Sequence, residues 1–472
     1  MTLFDLAIIG SGSAAFSAAI AARSRDKSVV MIENDKVGGT CVNVGCIPSK
    51  ALLASAHMAH LAQNNPFVGI DTCCKEINFK KIIADKDKLV KSLQKEKYLD
   101  LAKDYGWEII WGKASFTPGP LLQVQLKDGK STTIEASHYL IATGSQPWIP
   151  PGIEGIQDSK YLTSTTAMEL EELPKSLIVV GGNYIGLEQA QMFSRLGSKV
   201  TLIEMEDHLS PNEEPEVGKL ISQVLHNEGI EVLINTTVES LHRQNSTTIT
   251  ATLDTAFGQK KITATHILMA TGRTPNTKDL KLDAIGVKLG SKGQVIVDNH
   301  LRTSVSNIWA AGDVTGYPQF VYVAGAHGAV VVDNALSGKK RTLDYKHLPR
   351  VTFTTPNIAA VGITEFQAKQ QGIDYVSKIL PLEYVPRALV NRDTNGLIKI
   401  LAEANSNRIL GITVVAENAG DTILAGSYAI RAGMTVDDIA DSWAPYLTMS
   451  EGIKLGAQTF SKQVSKLSCC AS

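Results

Sequence analysis

The chain carries a glycine-rich fingerprint of the form G-x-G-x-x-A between two short apolar runs. Gly10, Gly12 and Ala15 are its small residues, and the apolar run that follows ends at the acidic Glu33. Small residues at these positions let the backbone approach a pyrophosphate at a helix N-terminus, and the acidic residue can accept a hydrogen bond from a ribose hydroxyl. The pattern predicts a βαβ unit that binds a dinucleotide.

A second fingerprint starts at Gly181, about 170 residues further along the chain, and reaches Gly186. Asn183 replaces the usual middle glycine, and asparagine tolerates unusual backbone angles better than most residues. The apolar strand that follows ends at Glu204. The repeat predicts two dinucleotide sites in one chain.

Two cysteines, Cys41 and Cys46, lie in the stretch 38–50 (GGTCVNVGCIPSK), after the first fingerprint. The stretch is predicted to begin a helix, on which a five-residue step brings two side chains near enough for a disulfide or a paired dithiol. The helix N-terminus is expected to lower the thiol pKa and to hold a reactive thiolate. The alternative is a structural staple or two buried thiols. Redox chemistry is favoured because the chain shows no sign of secretion.

The charge balance excludes several classes of partner. The 472 residues include 46 basic and 47 acidic side chains, which gives a formal net charge of −1. No basic field is present for nucleic acid or for an anionic membrane surface. The N-terminus lacks a basic targeting region, and the apolar runs are too short to span a membrane. We expect a cytoplasmic protein of about three domains.

The six cysteines fall into three pairs, of which Cys73/Cys74 and Cys469/Cys470 are adjacent in sequence. A disulfide between adjacent residues is strained, so such pairs are better interpreted as dithiols, redox couples or ligands for soft metals. For Cys73/Cys74 we favour an exposed or half-buried pair without a role. For Cys469/Cys470 we favour a functional pair over an incidental one.

Two motifs make the chain resemble the flavin disulfide oxidoreductases along essentially its whole length. They are the stretch 38–50 and the Ala-Ala-Gly-Asp segment at 310–313. The resemblance implies an α/β fold with two Rossmann-like dinucleotide-binding domains and a C-terminal α+β dimerisation domain. It also implies FAD on the first βαβ unit, NADPH or NADH on the second, and a homodimer.

Repeated Ala-Thr-Gly strand ends at 142–144 and 270–272 indicate where the chain returns to its first domain. The expected domains are an FAD-binding domain, an NAD(P)H-binding domain and a dimerisation domain with a Cys-Cys tail. Their expected boundaries are 1–146 with 270–335, 147–269, and 336–472.

The resemblance also implies roles for individual residues. Cys46 is expected to lie against the flavin as a thiolate, with Cys41 as the outer thiol that meets the substrate. Lys50 is expected to approach the flavin and pair with Glu188, and Tyr184 to cover the nicotinamide pocket. The positions expected to contact FAD or the coenzyme are Gly10, Gly12, Ala15, Glu33, Asp35, Gly39, Thr40, Lys50, Ala114, Thr143, Gly144, Asp313, Val321, Gly181, Gly186, Glu204 and Arg273.

The C-terminal region decides which substrate is expected. Family members that exchange disulfides carry a histidine as general acid/base in a His-Pro-Thr-x-Ser-Glu segment, whereas Tyr446 stands at that position here. A tyrosine, with a pKa of about 10, shuttles protons poorly at neutral pH. Thiolates select soft cations. We therefore expect Hg(II) to be received by Cys469 and Cys470 and passed to Cys41 and Cys46, as the resemblance to the Hg(II)-reducing members implies.

In those members the tail reaches the active site of the other subunit. The amino-terminal metal-binding domain that many of them carry is not found in this sequence. One alternative is a thioredoxin reductase-like enzyme in which the tail cysteines are a second redox pair. Another is a metal-sequestering protein that keeps the flavin as a structural relic.

The sequence and the resemblance disagree on the coenzyme. Glu204 is followed by acidic residues that are expected to repel a 2′-phosphate, and no adjacent arginine is present to bind one. The resemblance instead implies NADPH, so we expect both coenzymes to be used. The acidic residues after Glu204 are Glu206, Asp207, Glu213, Glu214 and Glu216.

Overall fold

The described residues, 3–119 and 121–464 of a computed structural model, fall into two compact units. Unit 1 is drawn from Met1–Ala51, Lys81–Ile149 and Thr271–Leu343, and unit 2 from Leu52–Lys80, Pro150–Ala270 and Asp344–Ser472. The expected NAD(P)H-binding and dimerisation regions fall in unit 2 except for residues 147–149 and 336–343, which belong to unit 1. The three-domain division therefore stays a prediction.

The first part of the chain forms strands β1 (Leu3–Ile9), β2 (Val29–Glu33), β3 (Glu108–Thr117), β4 (Leu121–Leu126), β5 (Ser131–Ile141) and β6 (Ser145–Pro147). Its helices are α1 (Ser13–Arg23), α2 (Gly39–Asn43), α3 (Cys46–Gln63), α4 (Phe79–Gln94) and α5 (Asp100–Tyr105), with a π-helical turn at Lys95–Leu99.

The middle part forms strands β7 (Leu162–Thr163), β8 (Ser176–Val180), β9 (Lys199–Ile203), β10 (Glu231–Leu233), β11 (Thr236–Asn245), β12 (Thr248–Thr255), β13 (Gly258–Ala264) and β14 (His266–Met269). Its helices are α6 (Ser164–Ala167), α7 (Tyr184–Leu196) and α8 (Pro215–Asn227).

The last part forms strands β15 (Arg273–Pro275), β16 (Ile308–Ala310), β17 (Pro349–Thr352), β18 (Asn357–Gly362), β19 (Tyr375–Pro381), β20 (Leu397–Glu403) and β21 (Ile409–Ala416). Its helices are α9 (Val321–Ser337), α10 (Glu365–Gln370), α11 (Pro386–Asn391), α12 (Ala419–Ala432), α13 (Val436–Asp441) and α14 (Glu451–Gln458), and 3₁₀ turns lie at Leu282–Ile285, Gly312–Thr315 and Leu382–Tyr384.

Unit 1 is built on a parallel sheet in the order β3-β2-β1-β5-β16. Strand β4 joins β3 to β5 by antiparallel pairing. Strands β1 and β2 are almost wholly apolar because helices and loops cover both faces of the sheet. The alanine-rich α1 packs closely against α9, where a Cβ atom on Gly328 would overlap the backbone of Ala14. This packing requires a glycine where α9 crosses α1.

Unit 2 contains a second parallel sheet, in the order β10-β9-β8-β14-β7. It also contains an antiparallel sheet in the order β17-β18-β21-β20-β19. Helix α12 packs on β18 and β21, and α14 packs on β19 and β20. The predicted fold class is confirmed: each of two parallel sheets carries a βαβ fingerprint, and an antiparallel sheet with helices follows. In the described residues, every helix is too short or too polar to cross a lipid bilayer.

Candidate active site

The first glycine loop connects β1 to α1 and has the shape that a dinucleotide needs. Gly10 has a φ of +102°, and a Cβ atom there would overlap the carbonyl oxygen of Ala142. Gly39 lies so close that its own Cβ would be 2.6 Å from the Cα of Gly12. Because the N-terminus of α1 has no side-chain cap, its backbone N–H groups are left for an anion. This cradle fits the pyrophosphate of FAD.

The carboxylate of Glu33 ends β2 beside this loop. Its Oε2 accepts a hydrogen bond from the Ser11 hydroxyl at 2.5 Å, and its Oε1 accepts one from the Asp35 backbone at 2.7 Å. These two hydrogen bonds fix the orientation of the side chain, and its contact with a ribose hydroxyl stays a prediction. Ala15 is fully buried on α1.

A second carboxylate, Asp313, lies in the turn after β16. Its Oδ2 accepts from the hydroxyl of Ser145 at 2.7 Å, and the same hydroxyl accepts from Nε of Arg273 at 2.7 Å. Burial lowers the pKa of Arg273, although the charges of Asp313 and Cys46 oppose that effect. Asp313, a predicted flavin-contact residue, and Arg273, a predicted cofactor-binding residue, are thus brought together through Ser145, which sequence reasoning missed.

The other predicted FAD positions are also in unit 1. Thr143 donates to the carbonyl of Asn276 at 2.7 Å, and Gly144 follows with a φ of +66°. Ala114 is buried in β3, Thr40 is exposed in α2, and Val321 is the first residue of α9. The strand end at 141–144 and the turn at 312–315 therefore supply backbone and polar groups beside the first glycine loop.

The two thiols of the dithiol stretch lie on two helices. Cys41 is in the short α2, and Cys46 is the first residue of α3. Between them Val44 leaves helical geometry with a φ of −143°, and a Cβ on Gly45 would lie 2.9 Å from the Thr40 carbonyl oxygen. The prediction of one helix carrying both cysteines is therefore wrong. Neither forms a disulfide among the described residues.

The pKa of Cys41 is raised, mainly because its thiol hydrogen-bonds to Cys46, and further because it is buried and faces the charge of Cys46. The expectation that the helix end lowers the thiol pKa is therefore wrong for Cys41: the neighbouring sulfur outweighs the helix. The arrangement favours the protonated form of Cys41. Lys50, one turn into α3, acts in the opposite direction on Cys41 but is a lesser effect.

The second glycine loop connects β8 to α7. Gly181 has a φ of +110°, and a Cβ on Gly186 would overlap the Gly181 carbonyl oxygen. The Glu204 carboxylate accepts from the backbone N–H of Gly182 at 2.6 Å and from that of Glu206 at 2.9 Å. Asn183 precedes α7 in extended conformation and makes no side-chain cap. This loop also has the geometry of a dinucleotide site.

The description "Pyridine nucleotide-disulphide oxidoreductase" belongs to a family model that matches residues 4–328, and the dimerisation domain of the same family matches residues 348–457. The chain belongs to the pyridine nucleotide-disulphide oxidoreductase family. This oxidoreductase uses FAD and NAD(P)H and forms a homodimer.

Relatives of this oxidoreductase cover nearly its full length. A mercuric reductase from Streptomyces lividans is 54% identical over 100% of this chain and 99% of the relative. A mercuric reductase from Staphylococcus aureus is 46% identical over 99% of this chain and 84% of the relative. Among solved structures, the Cu(II) complex of the HOCl-induced flavoprotein disulfide reductase RclA from Escherichia coli is 30% identical, with a TM-score of 0.87 over 98% of this chain and 100% of that chain.

The acidic residues after Glu204 in this oxidoreductase are mostly paired, which corrects the argument for NADH. The Glu213 carboxylate accepts hydrogen bonds from Nε and Nη2 of Arg350, at 2.7 and 2.8 Å. Glu214 pairs with the buried Lys399 at 3.1 Å, and Glu216 does so as well. Buried carboxylates need such partners. Glu213 has an arginine of its own, whereas Lys399 is shared by Glu214, Glu216 and Glu365, so the acidic charge is offset in part within unit 2. Glu206 and Asp207 are exposed near Glu204, and Asp207 contacts His208.

Tyr184 is the first residue of α7 and Glu188 its fifth, and both side chains form hydrogen bonds within unit 2. The Tyr184 hydroxyl donates to Glu213 at 3.2 Å. The Glu188 carboxylate, which is buried, accepts from the backbone N–H of Phe353 at 2.9 Å. The covering of a nicotinamide by Tyr184 and the pairing of Glu188 with Lys50 stay predictions.

A tyrosine that sequence reasoning missed lies beside the dithiol. Tyr98 is on the π-helical turn, edge-on to Phe16 at 4.8 Å, and its pKa is raised by burial and by the charges of Cys41 and Cys46. One turn earlier, Gln94 donates to Asn43 at 2.9 Å. Gln94 and Tyr98 are four residues apart, which places them on one face of the charged helical segment. This spacing was the sequence signal that could have identified them.

The remaining predicted residues are at the C-terminus. Tyr446 is 53% exposed, in the turn before α14. Leu447 in the same turn has a φ of +60°, and its N–H donates to Glu451. Cys469 and Cys470 lie outside the described residues, so the predicted tail dithiol stays a prediction.

Proposed function

We propose that this oxidoreductase is a mercuric reductase that reduces thiolate-bound Hg(II) to Hg(0) with electrons from NAD(P)H. The observation that carries the proposal is the pair of contacting cysteines, Cys41 and Cys46, beside a flavin-type cradle, in a chain with Tyr446 at the position of the family's catalytic histidine. Relatives named mercuric reductase, 40–54% identical over at least 99% of this chain, support it.

In unit 1, Gly10, Gly12 and Glu33 would hold the pyrophosphate and ribose of FAD, and Asp313 would hold its hydroxyl-bearing chain. FAD, when bound, supplies the two-electron step that takes Hg(II) to Hg(0). In unit 2, the loop that begins at Gly181 and the Glu204 carboxylate would bind the reduced coenzyme. These assignments follow the hydrogen-bonding capacity of each group.

The dithiol binds the substrate by ligand exchange. Cys46, which bears the charge, replaces one thiolate ligand of Hg(II), and Cys41 replaces the second as its proton leaves with the departing thiol. Two sulfur ligands satisfy a soft cation without a proton relay. We assign the entry of Hg(II) to Cys469 and Cys470 of the tail. These cysteines and Tyr446 would act in the active site of the partner subunit. The reaction would take place in the cytoplasm.

The central test is Hg(II)-dependent oxidation of NADPH and NADH in the presence of excess thiol. Wild type is expected to oxidise both coenzymes when Hg(II) is added. Cys46→Ala is expected to lose this turnover by at least about a hundredfold while still binding FAD, because one of two obligatory sulfur ligands is gone. Rapid reduction of oxidised thioredoxin without metal-dependent turnover would favour the disulfide-reductase alternative.

The assignment of charge within the dithiol has its own test. The hydrogen bond to Cys46 is the main cause of the raised pKa of Cys41. In Cys46→Ser that pKa is therefore expected to fall, so more Cys41 is thiolate at a given pH. Alkylation of Cys41, followed by mass spectrometry against pH, should shift to lower pH in this variant. An unchanged profile would show that burial alone sets the pKa.

A further inference from the structure

The connection between α3 and α4 carries a cysteine pair that the proposed reaction does not use. Residues 64–78 form no helix or strand, and their apolar side chains include the exposed Phe67, Val68 and Ile70. Cys73 is exposed and Cys74 is half-buried, and both are free thiols. The Cys74 thiol turns back toward the carbonyl of Glu76 at 3.7 Å. The sequence interpretation is confirmed in one respect: the two cysteines are exposed and half-buried, as expected.

We propose that Cys73 and Cys74 form a second site for a soft metal cation, which holds one Hg(II) as a bis-thiolate on unit 2. Thiolates are soft ligands that select such cations. A disulfide between adjacent residues is strained, so the pair remains available as a dithiol. The second sulfur is presented at an effective concentration in the millimolar range or above, so the pair competes with free monothiols.

Capture at this site is an exchange of ligands. Hg(SR)₂ and the two cysteine thiols give the protein bis-thiolate and two molecules of RSH, and the oxidation state of mercury does not change. The backbone of 64–78 belongs to no helix or strand ladder, so the two sulfurs can turn toward one cation without breaking such a ladder. The identity of the cation rests on the proposed function, but the binding itself needs neither Cys46 nor FAD.

The test uses the full chain with bound FAD, incubated with HgCl₂ and excess cysteine and then separated from unbound metal. Mercury per chain, measured by elemental mass spectrometry, is expected to fall by one in the double variant Cys73→Ser/Cys74→Ser. Cys73→Ser alone should lose the same amount, because a chelate needs both sulfurs. Equal mercury content in wild type and the double variant, or full retention in the single variant, would overturn the site.

Hg(II)-dependent NADPH oxidation, measured in parallel, separates the two proposals. Turnover in wild type together with an unchanged mercury content in the double variant would remove the second site and leave the proposed function intact. A lower mercury content in the double variant, together with no turnover in wild type, would support the second site and contradict the proposed function.

A different observation concerns His327, which is wholly buried on α9. Its Nδ1 accepts a hydrogen bond from the backbone N–H of Gly312 at 3.2 Å. The carbonyl of Gly312 accepts from the Thr315 hydroxyl at 2.7 Å, so both backbone polar groups of Gly312 are hydrogen-bonded. The next residue is Asp313. Close packing at Gly328 sets the position of α9 against α1, and hence of His327.

We infer that His327 is a positioning residue, which holds the Gly312–Asp313 turn in the conformation that receives the flavin. Burial lowers the pKa of His327 to about 4, so the ring is neutral at pH 7 and Nδ1 can accept a hydrogen bond. A neutral imidazole acceptor of this kind satisfies a buried N–H that would otherwise be unpaired.

The test is the dissociation constant of FAD from variant holoenzymes, with the melting temperature of each apoprotein measured alongside. His327→Leu leaves the Gly312 N–H without an acceptor and is expected to weaken FAD binding by about tenfold. His327→Asn supplies an amide oxygen and should restore most of the affinity. If FAD affinity is unchanged in His327→Leu, or if both variants lose affinity equally and in step with apoprotein stability, the residue has only a packing role.

Discussion

The two glycine loops share a fingerprint but are supported by different neighbours. In unit 1 the redox stretch itself supports the loop: the Gly38 N–H donates to the Ser11 carbonyl at 3.1 Å, and Gly39 touches Gly12. In unit 2 the support comes from the acidic segment, where the Ser210 N–H donates to the Gly182 carbonyl at 2.8 Å. The first loop is thus built together with the dithiol, whereas the second is built together with buried ion pairs.

This difference teaches that the fingerprint locates a dinucleotide but does not describe its surroundings. In unit 1, a change in the loop is expected to disturb the flavin and the thiols together. In unit 2, binding of the coenzyme and stability of the fold should be separable, because Glu204 and Glu213 have different partners.

The largest effect is expected for Gly39→Val, which tests whether the first loop and the dithiol stretch act as one structure. Gly39 has a φ of +65°, and a side chain there would run into the backbone of Gly12. The variant is expected to purify without flavin and without Hg(II) reductase activity, as absorbance spectra would show. Gly129→Ala is the control, because that residue also has a positive φ but has open space around it. Retention of flavin in Gly39→Val would separate the two elements.

A smaller effect, on stability, is expected when an ion pair behind the second loop is broken. Burial lowers the pKa of Arg350, but the Glu213 carboxylate more than offsets this and the net pKa is raised. Arg350→Met leaves that carboxylate buried without its cation, at a cost of about 3–5 kcal/mol. Thermal unfolding should show a clearly lower midpoint.

The control for Arg350 is Arg302→Met, which removes an exposed pair with Asp298 and is expected to change stability by less than about 1 kcal/mol. Similar melting temperatures for the two arginine variants would mean that the buried pair contributes no more than a surface pair.

Sequence reasoning identified what depends on local patterns. Both glycine loops, their acidic strand ends and the Asp313 turn could be found because strand, helix and fingerprint are neighbours in the chain. The break between Cys41 and Cys46 could not, because it depends on the steric fit of Gly45 against Thr40.

Contacts between distant residues were also beyond sequence reasoning. Arg350 neutralises Glu213 across 137 positions of sequence, so the acidic segment appeared repulsive when it is in fact paired. The sign of the Cys41 pKa shift was missed for a related reason, since it depends on one sulfur–sulfur contact rather than on the helix. In each case we treated a group as isolated, the Glu213 carboxylate in one and the helix dipole in the other. A neighbouring group opposes the effect that we expected from it.

The coenzyme preference gives the smallest expected effect and the finest test of the second loop. Among the acidic residues near this loop, Glu204 is the one that bonds directly to the glycine backbone, through Gly182. In Glu204→Gln the side-chain oxygen can still accept from Gly182, but the negative charge is gone. The KM for NADH should rise and that for NADPH fall, so that their ratio changes by about tenfold. Steady-state kinetics with each coenzyme at saturating Hg(II) measures this ratio.

Glu214→Gln is the matched control, because Glu214 is buried against Lys399 and the Glu365 backbone N–H and does not bond to the glycine loop. Its coenzyme ratio should stay within about twofold of wild type, although its stability should fall. If Glu214→Gln changes the ratio as much as Glu204→Gln does, the acidic segment acts on the 2′-phosphate as a whole, and the ion pairs of unit 2 do not isolate it. If only Glu204→Gln changes the ratio of KM values, the Glu204 carboxylate, which is bonded to the Gly182 N–H, sets the choice of coenzyme.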